Sequence, residues 1–405
     1  MEDGCDSNDV VIIGGGAMGS SVAFHLAESS PGCRVTVIER DSGYAQASTM
    51  RATTGGVRRV HALPENVALS DYGIAFLETF ADRTAVDGVG RGCDFVQGGY
   101  LLTASPEAKA GLAANFEFQA SQGVEVRWME PGDVAAAFPS IRSDNLGAAV
   151  HSPKDGWANP GLLLEGLRRK AAALGVRYLD GEVVGIDRQG SRIRSVSLRS
   201  GARLKTPSLV VAAGPWSGQV CNLAGVKTPL GPLLRYDFEF EIDRPLEPLP
   251  FVKDWSRVAF RPCTEAGRYR GGLQTTEMSR SFDLTIDPTF FQRRMMPALT
   301  ERSHAFEGAR LIRSVSGLFD QNELDQNAII GPCTGTVDNL YLIAGFSGHG
   351  FMHVPGAGRA VAEHILHGRF QTIDLDALGW ARIAANRPYT SRRTRTAASG
   401  PRLHA

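Results

Sequence analysis

The stretch VVIIGGGAMGSSVAFHLAE, residues 10–28, decides how the rest of the chain is read. Val10–Ile13 is a short apolar run. Gly14, Gly16 and Gly19 follow in GxGxxG spacing, and Met18, Val22 and Leu26 then recur every four residues, as on one helix face. RVTVIE, Arg34–Glu39, reads as a second strand ending in an acid. Strand, glycine turn, helix, strand and acid, in that order, make the βαβ unit of a Rossmann-like dinucleotide-binding domain. Gly14 permits the tight turn, Gly16 lets a pyrophosphate approach the backbone, and Gly19 lets the helix pack on the strand. The helix N-terminus faces the phosphates with free N–H groups and a partial positive charge. Glu39 lies about twenty residues beyond Gly19, placed to hydrogen-bond a ribose diol and to repel a 2′-phosphate, which argues against NADP. The motif alone does not separate FAD from NAD.

A second glycine cluster near the other end helps to separate them. In GFSGHGFMHVPGAGRAVAEHIL, residues 345–366, a turn at Gly345–Gly350 follows the apolar strand Leu340–Ala344. A helix is predicted after it, with Pro355 in its first turn and Ala357, Val361 and Ile365 on one face. An adenine nucleotide needs one helix N-terminus. A flavin needs another, because negative charge develops at N1 and O2 of its pyrimidine ring on reduction. A cofactor long enough to span both ends of the domain is FAD.

The segments between these poles define the organisation. Asn159 is a good N-cap, Pro160 fits the first helical position, and Gly175 ends the helix LLLEGLRRKAAAL. Val176–Leu179, Glu182–Ile186 and Ile193–Leu198 read as strands, and LVVAAG, Leu209–Gly214, as a buried strand ending in a glycine turn. RYDFEFEI, Arg235–Ile242, alternates polar and apolar residues, as in an antiparallel sheet with one wet face. The expected class is therefore α/β, with α+β character overall: a discontinuous FAD-binding domain (1–95, 150–230 and 325–385) and an antiparallel-sheet substrate domain (96–149 and 231–324). From Asn386 the chain is basic, rich in Pro, Ser and Thr, and expected to be a disordered tail.

Lys+Arg and Asp+Glu both number 43, so nothing in the charge balance calls for nucleic acid or an anionic membrane. No run approaches the ~18 apolar residues of a membrane span. The leader MEDGCDSND has no apolar run, and a soluble cytoplasmic protein is expected. The six cysteines are scattered without a CxxC pair and read as reduced thiols. His349, His353, His364 and His367 lack an acid pattern such as HExxH, so no metal is expected. His61 is either an active-site group beside Arg58 or a loop histidine.

VVIIGGGAMGSSVAFHLAE, LVVAAGPWS and GFSGHGFMHVPGAGRAVAEHI together resemble the D-amino-acid oxidase/sarcosine oxidase (DAO) superfamily of FAD-dependent enzymes, whose fold is of the glutathione reductase-2 type. Within it, ASTMRATTGGVRRVHALPENVALS, LDQNAIIGP and HGRFQTIDL are similar to FAD-dependent oxidoreductase-domain proteins linked to mitochondrial complex I assembly and to sarcosine oxidase β-subunit-like proteins. The resemblance implies FAD contacts at Gly14, Gly16, Gly19, Glu39, Arg40, Ser48, Val183, Gly214, Trp216, Gly348, His349, Gly350 and Phe351. It implies an arginine anchor for a substrate carboxylate, which GGVR supplies as Arg58.

Departures from the family pattern matter as well. Met352 stands where sarcosine oxidases have a second carboxylate-binding lysine. Their oxygen-activating lysine falls in GRYRGGLQ, which offers Tyr269 or Arg270 without fixing the register. The cysteine and histidine that carry covalent flavin in relatives align near Gly317 and Arg51, so FAD is expected to be non-covalent. The candidate catalytic residues are Arg58, His349 and Arg270, and Tyr269 and Met352 join Arg58 on the substrate side. The implied activity is oxidation of an amine, a secondary or N-methyl amino acid, with O₂ or an electron carrier as acceptor. The rival is a flavin-bearing assembly or interaction factor with little or no catalytic turnover. The oligomeric state is not legible in the sequence.

Overall fold

The computed structural model describes residues 6–44 and 53–391. Its centre is a six-stranded sheet in the order Ile329–Cys333, Val337–Ala344, Ser208–Val211, Val10–Ile13, Val35–Glu39, Arg177–Asp180. All pairings are parallel except that of Ile329–Cys333 with Val337–Ala344. Successive side chains of its middle strands feed opposite cores. Val10, Ile12 and Val210 pack with the helices Ala17–Ser29, Pro160–Ala173 and Gly350–His367. Val11, Ile13, Leu209 and Val211 pack with Ile193, Val196 and Leu204 of a four-stranded sheet on the other face. Burial on both faces is why these strands read as unbroken apolar runs.

An eight-stranded sheet forms the second layer. Its order is Arg310–Asn322, Leu230–Glu241, Arg268–Leu273, Val258–Pro262, Phe251–Lys253, Tyr100–Ala104, Ala148–Ser152, Arg127–Met129. Pairing is antiparallel except between Phe251–Lys253 and Tyr100–Ala104. The alternation in Leu230–Glu241 is realised: Leu234, Phe238 and Phe240 enter an apolar core, while Arg235, Asp237 and Glu239 point the other way. The polar face is not simply wet. Part of it is the wall of an internal cavity.

Two expectations shift. The helix over the second glycine cluster opens at Gly350, so Pro355 lies in its interior rather than in the first turn. With no N–H, Pro355 leaves the Phe351 carbonyl, four residues back, without its helical donor, and the helix nevertheless runs on to His367. Ordered contacts also continue past Asn386, within the stretch expected to be a tail. Tyr389 donates its hydroxyl to Glu65 Oε1 at 3.0 Å and its N–H to Asp325 at 3.0 Å, which pins the chain through that point. Among the described residues, no helix is long and apolar enough to cross a membrane.

A buried ion pair fixes the strand Phe251–Lys253. Arg302, with none of its side chain exposed, places Nε 2.7 Å from Asp254 Oδ1 and donates from Nη1 to Asn145 Oδ1 at 3.0 Å. Arg302→Met strands Asp254 as a lone buried charge, and the expected loss is about 3–5 kcal/mol of unfolding free energy. Chemical denaturation followed by circular dichroism measures it, and a loss below about 1 kcal/mol contradicts this account of the pair.

Candidate active site

A cavity of about 590 Å³ lies between the two sheets, and both glycine clusters open into it. At its nucleotide end Gly14 has φ +106°, and a Cβ there would sit 2.4 Å from the Ala212 carbonyl oxygen. Gly19 does not line the cavity. A Cβ on it would meet the Gly14 carbonyl at 1.9 Å, so it serves helix–strand contact. Gly16 and Gly214 have nothing within 4 Å of an added Cβ and both line the cavity, so side chains there would enter the space itself. Glu39 also lines it, accepting from the N–H of Gly15 at 2.7 Å and of Asp41 at 2.8 Å. Arg40 lies over Trp216, 4.2 Å from the ring centroid, and Val183 lines the wall beside them.

At the far end Gly348, Gly350, Phe351 and Met352 line the cavity. Gly348 has φ +100°, with the Phe319 ring where a side chain would go. The N–H groups of Gly350, Phe351 and Met352 belong to the first turn of the helix, so they have no acceptor within it. Asp320 takes the preceding N–H groups of Gly345 and Phe346 at 2.8 and 3.2 Å. Burial raises its carboxyl to about 6 against the pull of those amides. A cavity lined both by a pyrophosphate-type turn and by helix N–H groups without an acceptor in their own helix fits FAD.

The middle of the cavity holds the chemistry. The strand Gly56–Val57 delivers Arg58, whose residue is 4% exposed. Its partners are neutral: the Val60 carbonyl at 2.6 Å, His61 Nδ1 at 3.3 Å and the Tyr100 hydroxyl. Burial lowers its pKa, with opposing contributions from Tyr100 and Asp155. The adjacent Arg59 is the structural arginine, bound to Asp71 at 2.5 Å. Tyr100 and Phe251 stack at 4.5 Å and form an aromatic wall beside Arg58.

Lys253, two residues past Phe251, also lines the cavity. Burial, and then the Arg58 charge, bring its ammonium down to about 7. The sequence reading missed this residue. The only local signal is one strongly hydrated cation in the otherwise apolar run LPFV-K.

Behind Arg58 lies a directional chain. The guanidinium can only donate, so His61 Nδ1 accepts and its Nε2 carries the proton. Nε2 lies 3.0 Å from both the Arg58 carbonyl, which accepts its proton, and Ser70 Oγ, and Ser70 Oγ lies 3.1 Å from His353 Nε2. Burial, reinforced by Arg58, holds His61 well below the ordinary histidine range. Burial and the neighbouring His349 do the same for His353. Both imidazoles are neutral in this arrangement. Among the described residues, no His, Cys, Asp or Glu group has the geometry to hold a metal ion.

Three expected site residues fall elsewhere. His349 turns its ring away from the cavity: Nδ1 is 2.9 Å from the Phe346 carbonyl, and the ring packs on His61 and His353 at 5.5 and 6.2 Å. Tyr269 is a core residue, 3% exposed and packed on Phe240 and Phe306. Arg270 does not line the cavity, because its guanidinium is bound to the buried carboxylate of Asp237. From that strand it is Gly272 and Leu273, followed by Gln274, that reach the cavity. Ser48 and Arg51 lie outside the described residues.

The family model described as "FAD dependent oxidoreductase" (DAO) matches residues 9–364. The chain belongs to the DAO family. FAD-dependent oxidoreductase domain-containing protein 1 of Bos taurus is 35% identical over 415 residues, covering 93% of this chain and 85% of that protein. Sarcosine oxidase subunit beta of an Arthrobacter species is 24% identical, covering 89% of this chain and 87% of its own. Among solved structures, L-proline dehydrogenase from P. horikoshii superposes with a TM-score of 0.84 at 26% identity, covering 95% of this chain and all of that one. This DAO-family protein is thus an FAD-dependent oxidoreductase by family, and its two glycine turns are the poles of the cofactor cavity.

Proposed function

We propose that this DAO-family protein oxidises the C–N bond of an amine that carries a carboxylate, a secondary or N-methyl amino acid. The observation that carries the reading is the pairing, in one cavity, of the neutrally partnered Arg58 with Lys253. When bound, FAD supplies the acceptor for the hydride that leaves the carbon next to nitrogen. Arg58 offers its fork to the substrate carboxylate and fixes which C–H is presented. Lys253 Nζ, when neutral, accepts the proton of the entering ammonium, because only the free amine can release a hydride as its lone pair closes the C=N bond. Tyr100 and Phe251 exclude water from one side, and the imine product hydrolyses once it reaches solvent.

FAD is held without a covalent bond in this reading. None of the described cysteines or histidines lines the cavity, which supports it. Heat or acid denaturation is expected to release free FAD into the supernatant, and a flavin that stays with the precipitated chain overturns the assignment.

Anaerobic mixing with N-methyl, cyclic and D-amino acids tests the activity: substrate bleaches the flavin absorbance, and no bleaching across the panel favours the assembly-factor alternative. The lysine gives a separate expectation. Because the neutral form is the active one, kcat/KM rises as pH passes through about 7, the value to which burial brings Lys253. Lys253→Met removes that limb and lowers the rate by roughly 10²–10⁴-fold. A variant with the wild-type pH profile removes Lys253 from proton transfer.

A further inference from the structure

Arg235 is a second cation of the cavity wall that the reaction as described does not use. It projects from Leu230–Glu241 on the polar face and lines the cavity. Its guanidinium lies over the Phe319 ring, 5.1 Å from the centroid. Its buried Nε has no hydrogen-bond partner, and Nη1 has only a long 3.4 Å contact to the neighbouring Leu234 carbonyl. The charges acting on it are those of Arg280 and Arg257, both of its own sign, and burial pulls it down to about 10. A guanidinium with an orphaned donor, facing a cavity and with no acid opposite, is a ready partner for an anion from outside the chain.

The rest of the lining shows which anion. The acids Glu39, Asp41 and Glu182 stand at the nucleotide end. Asp320, on the sheet side, has its Oδ2 engaged by the Gly345 and Phe346 amides. The sheet side therefore presents Arg58, Lys253 and Arg235 against a single committed carboxylate. These cations form two poles. Lys253 feels the charge of Arg58, whereas neither is among the charges that act on Arg235. In the sheet order the strand of Arg235 and that of Lys253 are three spacings apart, ~14 Å between backbones. Two long side chains close much of that distance from either side.

We propose that Arg235 is a second carboxylate subsite and that the substrate is an amino dicarboxylate, with one carboxylate on Arg58 and the other on Arg235. The inference rests on the amine-oxidation reading for the word substrate, but the subsite itself does not need turnover. Redox-inert acids therefore test it. Glutarate and butyrate are titrated into the FAD-loaded protein, and binding is followed by the perturbation of the flavin spectrum. Glutarate is expected to bind at least ~10-fold more tightly than butyrate, the difference one charge-assisted bond supplies.

In Arg235→Gln that ratio falls to about 1 with butyrate affinity retained, and Arg235→Lys recovers part of it. Flavin content and melting temperature verify that both variants are folded and loaded. Equal ratios in wild type and Arg235→Gln overturn the subsite. So does weaker FAD retention in Arg235→Gln with an unchanged ratio, since the guanidinium then serves the cofactor. A preserved glutarate preference in a protein that no amine bleaches refutes the oxidation reading and leaves the subsite standing.

Discussion

Gly16→Val is expected to give a folded, colourless protein. Gly16 has an ordinary φ of −65°, and an added Cβ meets nothing within 4 Å, so the backbone accepts a side chain without strain. The cost falls on the cofactor, because that open space is the approach of the pyrophosphate to the helix N-terminus. FAD affinity should drop by ~100-fold or more, equivalent to about 3 kcal/mol. Absorbance of the purified protein and titration of the apoprotein with FAD measure it, with circular dichroism to verify the fold. Gly19→Val is the contrast. Its Cβ would lie 1.9 Å from the Gly14 carbonyl oxygen, so helix and strand must separate and stability falls together with colour. A yellow Gly16→Val protein of wild-type affinity refutes the assignment of this end of the cavity.

The second large effect is at Arg58. Arg58→Ala removes the guanidinium that lines the cavity with Lys253 and the aromatic wall. KM for a carboxylate amine should rise by an amount equivalent to ~2–4 kcal/mol. Arg58→Lys retains the charge and loses the fork, so it should recover only part of the loss. The alanine variant also strips His61 of its donor at Nδ1, so kcat should fall with the geometry of the turn. A KM unchanged in both variants removes Arg58 from the site.

The parts of the site legible in the sequence are those fixed by backbone. Gly14, Gly16, Gly348 and Gly350 stand where a chain must turn sharply or a cofactor must come close, and the two glycine clusters expose them, while the resemblance adds Gly214. Arg58 came from the resemblance that GGVR carries, and the structure brings it to the cavity wall. Lys253 was not, because what makes it a cavity residue is the parallel pairing of Phe251–Lys253 with Tyr100–Leu102, from a segment about 150 residues away. Tyr269 and Arg270 failed for a related reason. Adjacent strand residues face opposite ways, so a register left open by one leaves the site and the core exchanged. His349 has the right backbone position and the wrong ring direction, since its Nδ1 is engaged by a carbonyl of its own turn. Arg235 was part of a pattern read correctly as one polar face. What that face looks at is a tertiary fact.

The order of strands in the six-stranded sheet has a consequence for biogenesis. Val10–Ile13 sits between Val35–Glu39 and Ser208–Val211, and Ser208–Val211 pairs on its other side with Val337–Ala344, whose turn supplies the second pole. A chain still on the ribosome can form the first turn early, yet it owns half a clamp until some three hundred further residues have emerged. Stable loading with flavin is therefore expected only once Gly350 has emerged, and a chain that stops before it is expected to hold no flavin.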